Sequence, residues 1–316
     1  MSQQYQQSEF SIGTEDDLDL KAIFKILWQG KIYIVCTTII FAVCFVMYAI
    51  SQPNIYKSSV VLAASEQDQS SGLGGLASQF GGLASLAGVN LGGSSSNKVD
   101  LALEVIKSRK FITGFIEKHG ILKDLMAANS WEPIENKLVY DPETYDHEKG
   151  KWVRKVTHPY TEVPSEQEAY KKFMELIAIN VDSETSIITI SLEFLSPYKA
   201  QEWLNLLIID INLEMKARDV EEAVKSKRFL VKEIENTNIS EIKTVLYKLI
   251  EEQTKTIMFA NVRDEYVFKI IDPPIASEEK FKPKRAMISI LGSLLGLILS
   301  GLFILFKAFL KRGNEA

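Results

Sequence analysis

Two long apolar runs, one near each end of the chain, dominate its pattern of hydrophobic and polar residues. They cover residues 32–51 and 286–306, and neither contains a charged side chain. Each run is long enough to cross a hydrocarbon core of about 30 Å as a helix. The first run also exceeds the ~7–15 apolar residues of a signal peptide. We therefore expect two uncleaved transmembrane helices.

The charges that flank the first run predict its orientation. Lys21, Lys25 and Lys31 precede it, whereas Lys57 is the only basic residue soon after it. Because basic residues favour the cytoplasmic side, both ends of a two-span chain are expected there. The predicted segments are a cytoplasmic tail (1–31), a first span (32–51), an external domain (52–285), a second span (286–306) and a second cytoplasmic tail (307–316).

The external domain mixes strand-like and helix-like patterns, which predicts an α+β fold. In residues 186–194, Ile188, Ile190 and Leu192 share one face and polar residues share the other, as in a half-buried strand. The other predicted elements are a strand at 54–64, a helix at 98–118, turns and loops at 129–165, a helix running into a strand at 169–182 and a strand at 265–274.

A long helical arm is predicted over residues 197–260. Ser196 and Pro197 are typical of a helix N-terminus, and neither Gly nor Pro interrupts the chain from there to about residue 235. Asn238 and Glu241 then have the spacing of a capping box, which starts a second helix. Since the first helix becomes mostly charged beyond Arg218, we expect its end to be solvated or packed on neighbours.

Composition and motifs exclude several functions. The net charge of −5 leaves no basic field for nucleic acid. Both cysteines, Cys36 and Cys44, lie in the first apolar run, so the external domain folds without disulfides. His119, His147 and His158 lack metal-ligand spacing, and the chain has no phosphate-binding loop or nucleophile elbow. We therefore predict a non-enzymatic protein without a metal or cofactor.

Small and basic residues mark the second span and its approach. Gly292, Gly296 and Ser300 recur every four residues, a spacing that lets helices approach closely in lipid. We expect them to pack against the first span or a neighbouring subunit. Four basic residues precede the span and are expected to contact lipid headgroups or the phosphates of a lipid-linked glycan; these are Lys280, Lys282, Lys284 and Arg285.

Residues 196–215, 246–274 and 283–296 resemble the Wzz polysaccharide co-polymerases, the O-antigen chain-length determinants of bacterial inner membranes. This resemblance implies two transmembrane helices that flank a periplasmic α/β base domain with a long extended helical arm. It implies homo-oligomeric membrane rings, commonly octamers. It also implies that the protein sets how many repeat units the Wzy polymerase adds to a lipid-linked glycan. By position, Pro273, Pro274, Pro283 and Lys284 match the proline-rich linker to the second span.

An uncharged segment rich in Gly, Leu and Ser, residues 72–96, contains the near repeat GLASQFGGLASLAG. A helical period would place Leu76, Phe80 and Leu83 on one face, although the glycines oppose helix formation. A free linker is normally polar. We therefore expect a loop that contacts a neighbouring subunit, the interior of the ring or the Wzy polymerase, with a simple linker as the alternative.

Two other functions stay open at this level. The chain is alternatively an adaptor or co-polymerase for capsule or exopolysaccharide export that works with a separate kinase, since a tail of ten residues leaves no room for a kinase domain. The other alternative is an extracytoplasmic sensor. A sensor needs a cytoplasmic output module, which the predicted tails are too short to supply.

Overall fold

The structure, a computed structural model, describes residues 27–65 and 94–313. The chain divides into two compact units, Met1–Gln52 with Pro283–Ala316, and Pro53–Lys282. In chain order the helices and strands are α1 (Lys31–Ser51), β1 (Tyr56–Ala64), α2 (Ser94–Lys107), α3 (Arg109–Lys118), α4 (Leu122–Ala127), β2 (Ala128–Glu132), β3 (Lys137–Tyr140), β4 (Tyr145–Asp146), β5 (Lys151–Trp152), α5 (Glu166–Leu176), β6 (Ile177–Val181), β7 (Ile188–Phe194), α6 (Pro197–Asn236), α7 (Ser240–Val262), β8 (Phe268–Asp272) and α8 (Arg285–Gly313).

Helices α1 and α8 form the first unit. Both are long and apolar enough to cross a membrane, with a mean hydropathy of 2.4 in each. Most of their side chains lie on the outside of the pair. In an apolar stretch of 18 residues, 6% of the residues of α1 and 17% of those of α8 are buried. A pair of helices whose outer surface is apolar is suited to lipid rather than to water.

A four-stranded antiparallel sheet in the order β6-β7-β1-β8 organises the second unit. The alternation predicted for β7 is confirmed, because Ile188, Ile190 and Leu192 are fully buried. The first half of α6 packs on β1 and β7. It contributes to the core with Trp203, Leu204 and other apolar side chains. One face of the sheet is thus covered by a helix.

A buried amide holds the edge strand β8 to α6. Asn212 is 5% exposed. Its Oδ1 accepts hydrogen bonds from the backbone N–H groups of Val267 and Phe268 at 2.8 and 2.9 Å, and its Nδ2 donates to the Phe268 carbonyl at 3.1 Å. The side chain therefore satisfies backbone groups that an edge strand would otherwise expose for pairing with another chain.

The fold class expected from the sequence, an α+β protein with two apolar helices flanking an α/β domain, is confirmed. The predicted strands at 54–64 and 186–194, the helix-to-strand transition at 169–182 and the long helix from Pro197 are present as β1, β7, α5 with β6, and α6. The strand predicted at 265–274 is shorter, since β8 covers only Phe268–Asp272.

Three local predictions were wrong. The single helix expected at 98–118 is broken at Ser108, whose extended backbone (φ −70°, ψ 141°) and side chain cap α3. Residues 129–165 are not only turns and loops, because they contain the antiparallel pairs β2–β3 and β4–β5. Asn238 does not cap the second arm helix: Ile239 is the last extended residue before α7, so Asn238 lies one position too early.

Candidate functional site

The two glycines of the predicted small-residue stripe lie against phenylalanines of α1. A Cβ atom placed on Gly292 would come within 2.5 Å of the Phe45 Cβ, and one placed on Gly296 within 2.7 Å of the Phe41 Cβ. These approaches are too close for any side chain. The glycine that comes later in α8 meets the phenylalanine that comes earlier in α1, so the two helices are antiparallel.

The contact continues toward the other end of the pair. A Cβ on Gly30 would meet the Ile304 side chain at 2.5 Å. Ser300 is 7% exposed, and its hydroxyl donates to the Leu297 carbonyl at 2.8 Å within its own helix. Near the opposite end, the Arg285 Nε donates to the Ala49 carbonyl at 3.2 Å. Small residues of α8 therefore face α1, and apolar side chains face outward.

The proline-rich linker is hydrogen-bonded to α6 and β1. Gln201 Nε2 donates to the Pro274 carbonyl at 2.9 Å, and the buried Ser58 hydroxyl donates to the Ile275 carbonyl at 2.8 Å. Farther on, the N–H of Ile55 donates to the Lys282 carbonyl at 2.9 Å. The strand that begins after the first span and the segment that leads to the second span therefore run side by side.

The four basic residues before the second span differ in their contacts and exposure. The Lys282 ammonium pairs with Glu193 at 2.5 Å. Arg285 binds a backbone carbonyl of its own helix pair, and Lys280 and Lys284 are exposed. Lys282 and Arg285 thus contact other parts of the protein, and Lys282 stays exposed together with Lys280 and Lys284.

The predicted contact residues of the uncharged segment, Leu76, Phe80 and Leu83, lie outside the residues that the structure describes.

The polar side chains of the second unit make structural contacts. Asp210, 8% exposed, accepts from Lys118 Nζ at 2.7 Å and lies 2.9 Å from His119 Nε2. In residues 27–65 and 94–313, no group of His, Cys, Asp and Glu side chains is arranged to hold a metal ion. These contacts join the end of α3 to α6.

A charged pair closes the loop before α5. Arg154 donates to both carboxylate oxygens of Glu168 at 2.6 and 2.9 Å. The arginine hydrogen bonds, with a further one from the Ser165 backbone, lower the pKa of Glu168 to about 2. Glu168 also completes a capping box with Ser165 at the start of α5, so one carboxylate fixes both a loop and a helix end.

Aromatic residues that the sequence analysis gave no role gather around the β2–β3 pair. Burial and a 2.7 Å hydrogen bond to Asp124 raise the pKa of Tyr140. Trp131 lies 5.3 Å from Tyr56 between ring centres. The sequence feature that points to this cluster is the recurrence of Trp and Tyr in the polar, proline-containing residues 129–165, for which the sequence predicts turns and loops.

The fold and the contacts define a class of protein. Its members have two membrane-type helices that pack against each other, and the chain between these helices forms a large α/β domain with a helical arm. Residues 16–119 match the Wzz family model, described as chain length determinant protein. The resemblance to the Wzz family that the sequence suggested is therefore confirmed, over a region that contains α1, β1, α2 and α3.

Two solved structures of polysaccharide co-polymerases are similar to this chain at low sequence identity. A full-length bacterial polysaccharide co-polymerase matches 95% of this chain and all of its own, with 12% identity and a TM-score of 0.40. A fragment of WzzB, the polysaccharide co-polymerase from Salmonella Typhimurium, matches 72% of this chain and all of its own, with 11% identity and a TM-score of 0.29. No curated protein matches the chain.

Proposed function

We propose that this protein is a non-enzymatic regulator of O-antigen chain length in lipopolysaccharide biosynthesis. It acts as an oligomeric ring in the bacterial inner membrane and controls the processivity of the Wzy polymerase on undecaprenyl-pyrophosphate-linked glycan. The observation that carries this proposal is the match of residues 16–119 to the chain length determinant family. The domain between the spans is periplasmic and both termini are cytoplasmic, as the lysines before the first span indicate.

Exposed apolar side chains on the arm support an oligomer. We call residues 220–262 the distal arm; within it only Ala223 and Ala260 are buried. Phe229 and Tyr247 are 63% and 59% exposed. Large apolar side chains that stay exposed in one chain are available for contacts with a partner, and in a symmetric ring each copy covers some of them on its neighbour.

Deleting the gene and separating the lipopolysaccharide on a gel tests the function. We expect the modal band of the O-antigen ladder to disappear and to return with a plasmid copy. A ladder that keeps its modal length in the deletion strain contradicts the proposal. Loss of a surface capsule with an unchanged ladder would instead favour the export adaptor.

The pairing of α1 and α8 within one chain is the second part of the proposal. Gly292→Val places a branched side chain on Phe45, so we expect the full chain in detergent to melt at a lower temperature. Phe45→Ala in the same chain makes room and restores part of the loss. The matched control is Leu291→Val, because Leu291 is 59% exposed. Equal melting temperatures for Gly292→Val and the control would contradict this pairing.

The linker lysines and the uncharged segment complete the proposal. Lys280 and Lys284 contact anionic headgroups, and their double change to Gln weakens binding to phosphatidylglycerol vesicles without altering the fold. Leu76, Phe80 and Leu83 contact a neighbouring subunit or the polymerase. Their joint replacement by Ser changes the modal length of the glycan or the stability of the ring. If neither changes, the segment is a simple linker.

A further inference from the structure

Six aromatic side chains form a surface cluster beside the main core, which we call the aromatic belt. None of them belongs to the hydrophobic core that the described residues form around the sheet. The belt residues are Tyr56, Trp131, Tyr140, Tyr145, Trp152 and Tyr198.

One half of the belt is centred on Trp131. Its ring lies edge-to-face with Tyr56 at 5.3 Å and tilted against Tyr198 at 6.1 Å. The indole N–H donates to Asn136 Oδ1 at 2.9 Å, which fixes the ring orientation. Tyr198, in the first turn of α6, is 52% exposed. This half therefore presents a rigid and partly open aromatic surface.

The other half is centred on Tyr145. Its ring lies 5.2 Å from Trp152 and 6.2 Å from Tyr140. Asp124 joins the two halves, since it accepts from the Tyr140 hydroxyl at 2.7 Å and pairs with Lys199, the neighbour of Tyr198, at 3.7 Å. Asp124 thus links two groups of rings that have carboxylate, amide and ammonium groups beside them. The Lys123 ammonium lies over the second group, 4.5 Å from the centre of the Tyr140 ring and 5.9 Å from that of Tyr145.

The charge of the belt selects among ligands. Residues 122–152, which supply most of it, contain four lysines and seven acidic residues. This excess of acidic residues in the segment disfavours phosphates, nucleic acid and anionic lipid. The belt accepts neutral molecules that offer an apolar face for stacking and hydroxyl groups for hydrogen bonds. Sugar rings have both features.

We propose that the aromatic belt binds uncharged sugar units of a polysaccharide chain. Sugar C–H faces stack on the exposed Tyr198 ring and on the accessible parts of the half-buried rings beside it, and sugar hydroxyls bond to the acid and amide groups nearby. The inference rests on the proposed function for the identity of the ligand, since the growing glycan is the polysaccharide that the domain would meet.

Binding to the full-length protein in nanodiscs of neutral lipid tests the proposal. The probe is lipid-free polysaccharide, released by mild acid from the lipopolysaccharide of the host bacterium and titrated by calorimetry. Tyr198→Ala is expected to raise the dissociation constant about five- to tenfold, the loss of one stacking ring. The matched control is Tyr160→Ala, a tyrosine that is 55% exposed and lies outside both the belt and the distal arm, for which we expect a change of less than about twofold.

The competing outcomes are distinct. Absence of binding by the unchanged protein, or equal binding by the Tyr198→Ala variant with its circular dichroism unaltered, overturns the proposal. Binding of phosphatidylglycerol vesicles that requires Tyr198, without polysaccharide binding, also overturns it and makes the belt a membrane surface. The proposed function fails separately, through an unchanged O-antigen ladder in the deletion strain, whatever the calorimetry shows.

Discussion

The two halves of helix α6 share one backbone but have opposite surroundings. Up to Met215 the helix lies on the sheet, where Trp203, Leu207 and Ile211 are at most 2% exposed. In the distal arm the helix packs on α7, and Phe229 is 63% exposed. Asp219 marks the boundary, where it accepts from Lys98 and from the Tyr266 hydroxyl, both at 2.6 Å.

This difference separates what folds the protein from what connects it to other molecules. Burial of apolar side chains stabilises a fold, so the first half of α6 anchors the domain. Apolar side chains that stay exposed contribute little to the fold of one chain. They are available for contacts with a partner, and the same substitution should therefore have different consequences in the two halves.

The largest expected difference comes from truncating one apolar side chain in each half. Leu207→Ala leaves a cavity in the core, and we expect the free energy of unfolding to fall by about 3 kcal/mol. Phe229→Ala should change it by less than about 0.5 kcal/mol. Denaturant titration of the full chain in detergent measures both values. Similar losses for the two variants would remove the distinction between the halves.

The second prediction concerns the amide that ties α6 to the sheet. Asn212→Ala leaves the N–H groups of Val267 and Phe268 without their acceptor. We expect a loss of about 2 kcal/mol in the free energy of unfolding. Asn236→Ala, at the exposed end of the same helix, is the control and should cost less than about 0.5 kcal/mol. Faster amide hydrogen exchange confined to β8 would locate the effect.

The third prediction is that the stability of the sheet-containing part of the domain depends on pH, whereas that of the distal arm does not. The folded pKa of Glu168, about 2, lies below its ordinary value of 4.5. The ionised carboxylate therefore stabilises the fold fully above about pH 5, and this stabilisation is lost as the pH falls toward 2. We expect Glu168→Gln to cost about 1–2 kcal/mol at neutral pH and progressively less on acidification.

An exposed ion pair of the arm provides the comparison. Glu251 and Lys255 lie 2.7 Å apart with largely exposed side chains, so Glu251→Gln should leave the acid part of the stability curve unchanged. An acid dependence that persists in full in Glu168→Gln would contradict the assignment to that carboxylate.

The smallest effect on folding and the clearest effect on assembly are expected in the distal arm. Replacing Phe229 and Tyr247 by Ser should alter the stability of a single chain by less than about 0.5 kcal/mol. It should shift the population toward smaller oligomers, because it removes apolar contact area. Native mass spectrometry of the detergent-solubilised protein gives the distribution. An unchanged distribution would show that the ring forms through other surfaces.

Periodic features of the chain were predictable, and contacts between distant segments were not. The apolar runs, the alternation of β7 and the start of α6 at Pro197 follow from local rules of spacing and capping. The break at Ser108 was missed because its neighbours suit a helix, although the Ser108 side chain itself caps α3. The paired strands in residues 128–152 were missed because turn residues obscured short strands.

The candidate sites divide in the same way. The spacing of Gly292 and Gly296 indicated a close helix contact, but the sequence left open whether the partner lay in the same chain. The structure places Phe45 and Phe41 against them. The aromatic belt was not foreseen, since Tyr56 and Tyr198 are far from Trp131 in the sequence.

The sequence by itself determined the two membrane-type helices, the α+β character of the domain and the length of the arm, because these depend on composition and on periods within a few residues. Only the tertiary structure decided which basic residues of the linker are held in ion pairs or hydrogen bonds. It also decided how Asn212 serves the edge strand and which aromatic side chains meet. Those outcomes depend on chain segments that are distant in sequence and adjacent in space, a relation that local patterns do not encode.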